Sequence, residues 1–125
     1  MNVVRFGLTL TVFLLSTNLV LADDILGAWL RDNGEEQVKF APCGDVICGD
    51  IVWLKPGAHL NAKVGKRLFF YMRPSGASSW TGKAASSDTG SVYSGKLSVA
   101  GSTLTTSGCM VGGLICKLAN WTRMP

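Results

Sequence analysis

From residue 25 onward, hydrophobic residues fall into short runs that alternate with polar ones or stay apolar for a few positions. Gly, Pro, Ser and Asp break the runs, and no stretch keeps the 3.6-residue period of a helix. The pattern predicts strands at 25–30, 36–41, 49–54, 67–72, 79–84, 92–99, 103–108 and 117–123. The joins are short and turn-like: Asp32-Asn33-Gly34, Arg73-Pro74-Ser75-Gly76, Asp88-Thr89-Gly90 and Gly101-Ser102. Short joins make sequence neighbours sheet neighbours, hence an antiparallel meander. Eight such strands leave two open edges unless they close on themselves. The expected fold is therefore all-β, a small up-and-down barrel of about eight strands, wide enough for packed side chains or one small ligand. The longest join, residues 55–66, holds Pro56, Gly57, Gly65 and the single histidine, His59, and gives no structural signal.

The cysteines sharpen the strand registers. There are four, Cys43, Cys48, Cys109 and Cys116, and three pairings are open to them. If Cys43 and Cys48 oppose each other, Phe40 faces Ile51 and Val38 faces Trp53. If Cys109 and Cys116 do so, Leu104 faces Trp121 and Thr106 faces Ala119, with Thr103, Thr105, Asn120 and Thr122 outside. A Gly101-Ser102 turn with Gly first pairs Val99 with Leu104, giving an apolar row Val99–Leu104–Trp121 across three strands. A one-residue slip would turn every side chain to the wrong face. Two local bridges thus give one consistent inside, which favours 43–48 and 109–116. Each closes a short loop and contributes about 2 kcal/mol on a chain-entropy estimate. Cys-x4-Cys and Cys-x6-Cys are neither usual zinc spacings nor the Cys-x-x-Cys of oxidoreductases.

The first 22 residues change the picture of where the barrel works. Arg5, an apolar run to Val20, and small residues at Val20 and Ala22 before Asp23 form an export leader. The run is short of the roughly 20 residues that span a bilayer, so no stable membrane insertion is expected after cleavage. The exported part, residues 23–125, is one domain. An even cysteine count behind a leader indicates an oxidising compartment, the periplasm of a Gram-negative bacterium or the medium. The whole chain carries 12 basic and 8 acidic residues. The basic ones are scattered, without the clustered stripe a nucleic-acid binder needs.

Candidate chemistry adds little. His59 stands alone, no nucleophile elbow accompanies the serines, and no catalytic constellation, metal site or cofactor motif is found. Asp45 and Asp50 are accounted for as turn residues, and Glu35-Glu36 as a solvated hairpin shoulder. Asn120-Trp121-Thr122 is a formal glycosylation sequon on a strand, with Asn120 outward. The aromatic run at 69–72 alternates so that Leu68, Phe70 and Met72 share the inner face, leaving Phe69 and Tyr71 outside.

The two ends of the chain supply a clasp. Closure makes the first and last strands neighbours, and Arg123, on the face of Trp121, can stack on Trp29 of Gly27-Ala28-Trp29. Gly27, Trp29, Trp121 and Arg123 in this arrangement resemble the closure of lipocalins and related barrels. The chain also resembles, along its exported length, the domain of unknown function 2147 family of bacterial exported proteins. The residues that carry this are "ILGAW" (25–29), "APCGDVICGDIVWL" (41–54), "VGKRLFFYMRPSGASSWTGKA" (64–84), "SVYSGKLSV" (91–99), "TTSGCMVGGLICK" (105–117) and "WTR" (121–123). Residues 59–62 and Ser86-Ser87 depart from it, where many members carry Asp-x-x-Asn-Pro and Asn-Pro. The resemblance implies a lipocalin-like barrel and no particular activity.

The expectation for function is a binding protein rather than an enzyme. A small apolar or amphipathic molecule would lie inside, lined by Val38, Phe40, Ile51, Trp53, Leu68, Phe70, Trp80, Tyr93, Leu97 and Val99. The alternative is a filled barrel acting through its surface as an envelope interaction or inhibitor module, its protein partner unspecified.

Overall fold

A computed structural model describes residues 25–58, 61–110 and 114–125. The expected leader and His59 lie outside these. Eight strands succeed one another: β1 (Gly27–Arg31), β2 (Glu36–Cys43), β3 (Val46–Leu54), β4 (Arg67–Gly76), β5 (Ser79–Ala85), β6 (Val92–Ala100), β7 (Thr103–Met110) and β8 (Ile115–Arg123). Each pairs antiparallel with the next, and β8 returns to β1, closing the barrel. Every expected strand is present, most of them longer than the pattern indicated.

The barrel has two unlike ends. At the closed end, two-residue turns join β2 to β3 and β6 to β7, with Gly44 and Gly101 leading at φ of 80° and 63°. A Gly with positive φ at the first turn position matches the right-handed twist of the strands. At the open end lie the longer joins 32–35, 55–66, 86–91 and 111–114. The 55–66 join is tied down by backbone bonds from Ile51 to Lys66 and from Lys55 to Glu35, and by Asn61 to Ser87.

The β7–β8 register is as the cysteines indicate. Leu104 opposes Trp121, Thr106 opposes Ala119 and Cys109 opposes Cys116, while Val99 opposes Leu104 across the Gly101 turn. Both disulfides form, 43–48 and 109–116. In β2–β3 the pairing is slipped by two residues from that expected. Cys43 opposes Val46, Phe40 opposes Gly49 and Val38 opposes Ile51. The two-residue Gly44-Asp45 turn sets this, and the bridge spans the ladder diagonally with Cα atoms 5.9 Å apart. An even slip keeps Val38, Phe40 and Ile51 inside.

Bulges account for the side chains that lie on the wrong face. Val52 is an extra residue between the pairs Val38–Ile51 and Gln37–Trp53. It turns Trp53 outward, 38% exposed, and brings Leu54 against the core. On β4, Leu68 is extra relative to β3, and Tyr71, at φ 53°, falls in the extra turn between the Phe70–Lys83 and Arg73–Thr81 pairs. Phe69 therefore points in and Phe70 out, the reverse of strict alternation, before Met72 returns inward. The expected turn at residues 73–76 is strand, with Pro74 beside a register shift where a missing N–H is tolerated.

The interior is filled by Trp29, Val38, Phe40, Ile51, Phe69, Met72, Trp80, Leu97, Val99, Leu104 and Trp121. Phe40 and Phe69 pack at 5.1 Å between ring centroids. They meet over Gly49, where a Cβ would come within 2.7 Å of the Phe40 ring, so the smallest residue makes room for two of the largest.

Candidate functional site

Alternation along β1 and β2 places Trp29 with Arg31, and Glu36 with Val38 and Phe40, on the inner face. At the open end the barrel therefore contains an ion pair. Arg31 Nη1 donates to Glu36 Oε2 at 3.1 Å, and the Ser87 hydroxyl, from the 86–91 join, donates to the same oxygen at 2.9 Å. Glu36 is fully buried, and its Oε1 has no hydrogen-bond partner among the described residues. Glu36 is thus the opposite of the solvated shoulder expected for it. A buried carboxylate persists only when paired and hydrogen-bonded, and here one oxygen is satisfied and the other is not.

Arg31 and Ser87 also line a cavity of about 80 Å3 at the barrel mouth. Its apolar wall is Leu68, Phe69, Ala84, Ala119 and Trp121, and its polar rim is Tyr93, Thr106, Ser107 and Lys117. Tyr93 lies over Gly108, whose added Cβ would meet the ring at 3.2 Å. The Trp121 indole donates to the Thr106 hydroxyl at 3.0 Å, holding the ring upright against the cavity. Arg31 lies 5.9 Å from the centre of that ring.

Of the ten residues expected to line a pocket, Leu68 and Tyr93 border this cavity. Val38, Phe40, Ile51, Trp80, Leu97 and Val99 are packed core, and the bulges on β3 and β4 turn Trp53 and Phe70 outward. Sequence reasoning missed Arg31, Glu36 and Ser87. The signal for the first two was present in the alternation itself, since each is two residues from an inward residue on its strand. The clasp is formed, with Arg123 stacked 4.3 Å from the Trp29 ring centre. Asp50 is not a turn residue but an outward strand residue in an ion pair with Arg67 at 2.8 Å. That bond and the Asp50 charge hold the guanidinium above its ordinary pKa.

Residues Gly27–Arg123 match the bacterial family described as "Uncharacterized protein conserved in bacteria (DUF2147)". The chain belongs to the DUF2147 family. The fold of this DUF2147 barrel is similar to that of protein HP1028 from Helicobacter pylori, described as belonging to the lipocalin family. The two share 16% identity over 81% of this chain and 83% of the other, with a TM-score of 0.61. At that identity the likeness shows the fold alone. No curated protein matches the sequence. Among the described residues, no helix is long and apolar enough to cross a membrane, and no group of three or more His, Cys, Asp or Glu is placed to hold a metal.

Proposed function

We propose that this DUF2147 protein binds one small amphipathic molecule end-on in the mouth of the barrel, outside the cytoplasm. The observation that carries the proposal is a cavity with an apolar wall and, bonded to its rim, a buried carboxylate with one unpartnered oxygen. Glu36 reaches the cavity only through Arg31 and Ser87, which line it, so the polar end of the ligand meets these two residues. The volume of about 80 Å3 is below the ~150 Å3 of an apolar cavity that takes up benzene. The cavity thus accepts the end of a molecule, and the rest lies across Leu118 and Lys117 at the rim. The lipocalin-like fold is compatible with a binding role, and two disulfides with the expected export leader support the periplasm as its compartment.

Native mass spectrometry of protein isolated from the envelope of its own bacterium tests this. The expected result is a small-molecule adduct on the native chain that is lost in Ala119→Leu, which fills the mouth from the half-buried wall. An adduct that survives Ala119→Leu, or a native chain without one, overturns the proposal.

A further inference from the structure

The outer wall of β4–β8 is unlike the rest of the surface. Its outward cations are Arg73, Lys83 and Lys96, all exposed, beside Arg67, which is paired with Asp50, and its strands carry no acidic side chain; Asp88 lies in the 86–91 join. The registers set these in rows. Arg73 is across from Thr81, Thr81 from Lys96, Lys96 from Ser107 and Ser107 from Leu118. Leu118 thus ends a cationic row, about 10 Å from Lys96 at two strand spacings.

The same side bears an apolar prong. Leu114 is 82% exposed, Leu118 71% and Ile115 55%, with Met110 opposite Ile115. β1 ends opposite Trp121, so the first half of β8 projects past it. The Cys109–Cys116 bridge ties the two arms together within the prong, between Leu118 and Ile115. Exposed apolar side chains at this density mark an interaction surface. By register Leu118 is on the outer face of the hairpin, and Ile115 and Met110 on the other. A flat partner covers one face of a hairpin; a medium that surrounds the hairpin covers both.

We infer that the β7–β8 strands dock the protein on an anionic lipid surface, with Met110, Leu114, Ile115 and Leu118 entering the headgroup boundary and Arg73, Lys83 and Lys96 on the outer wall facing the lipid phosphates. Apolar burial and attraction to anionic headgroups act together in such peripheral binding, and neither spans the bilayer. The inference does not rest on the proposed ligand: the two share only Leu118, at the rim of the mouth, and the ligand alone needs the mouth itself.

Co-sedimentation with vesicles tests it, using phosphatidylglycerol–phosphatidylethanolamine against phosphatidylcholine alone. The protein is expected to partition onto the anionic vesicles and to be released as salt is raised to screen the headgroups. Leu114→Ser with Leu118→Ser lowers the partition by about tenfold or more without moving the melting temperature, since both side chains are exposed. Lys83→Glu with Lys96→Glu weakens binding to the anionic vesicles alone. Ala119→Leu, which plugs the mouth, leaves vesicle binding intact, so the two proposals fail separately. The inference is overturned by equal binding to neutral vesicles, by no binding, or by leucine variants that bind as the native chain does. It is also overturned by a concentration-dependent dimer that Leu118→Ser abolishes, which makes the prong a contact between two copies.

Discussion

Two Trp–Arg pairs join the first strand to the last, and they differ in what the arginine does. At the closed end Trp29 is across from Arg123, and one step toward the mouth Arg31 is across from Trp121. Each strand gives one tryptophan and one arginine to the same inner face. Arg123 lies 4.3 Å over Trp29, whose indole N–H donates to the Ile25 carbonyl at 2.9 Å. Arg31 is 5.9 Å from Trp121, drawn aside by Glu36. The lower pair seals the barrel. The upper pair has exchanged tight stacking for a buried carboxylate and a cavity. The same two residue types thus serve closure at one end and polar chemistry at the other, and Glu36 makes the difference.

The largest effect expected from breaking this comparison is at the lower pair. Trp29→Ala empties a fully buried site and costs about 3–5 kcal/mol, a large share of the roughly 5–15 kcal/mol that holds a domain together. Urea unfolding monitored by circular dichroism reads it. At the upper pair, Arg31→Met strands the Glu36 carboxylate in the interior and costs about 3 kcal/mol. The double variant Arg31→Met, Glu36→Leu recovers most of that loss, because the unpaired charge is gone. A double variant no more stable than the single one would show that Arg31 acts through packing rather than through Glu36.

The two ends were also unequally legible in the sequence. Local rules account for much of the closed end: Gly101 with positive φ fixes the β6–β7 register, and Trp29 and Arg123 mark the seam, although the Cys43–Cys48 spacing set the β2–β3 register two residues off. The open end depends on single inserted residues. Val52, Leu68 and Tyr71 each add one position to a strand without a change in composition, and each reverses the phase of the strand residues beyond it. Strict alternation therefore put Trp53 and Phe70 inside and Phe69 outside. Glu36 was misplaced for another reason. Its strand alternation pointed inward, but a carboxylate beside Asn33-Gly34 reads as solvated until the partners Arg31 and Ser87, the latter 51 residues away, are brought to it.

The disulfides sharpen the contrast with a smaller effect. Both close short loops, so chain entropy assigns each about 2 kcal/mol. Cys48 is buried and Cys116 is exposed, so replacing Cys43 and Cys48 by Ala also leaves a gap in the packing at the closed end. Thermal melts are expected to show the larger drop for the 43–48 pair. Equal drops would mean that the packing around Cys48 closes over the lost sulfur.

The smallest effect is expected from Arg123→Ala, which leaves Trp29 in place but uncovers it. The stack is half-buried, and the guanidinium also donates to the Leu26 carbonyl at 3.4 Å. Together these contribute about 1–2 kcal/mol. For a domain of about 100 residues 1 kcal/mol moves the melting temperature by roughly 4–8 °C. Arg123→Lys separates the two contributions. It keeps a charge near the ring but loses the flat face that covers the indole. If stacking is what matters, Lys behaves as Ala does and the tryptophan emission shifts to the red in both. If charge is what matters, Lys restores the melting temperature. The lower pair would then work through the same electrostatics as the upper one, with the indole ring in the place that Glu36 holds for Arg31.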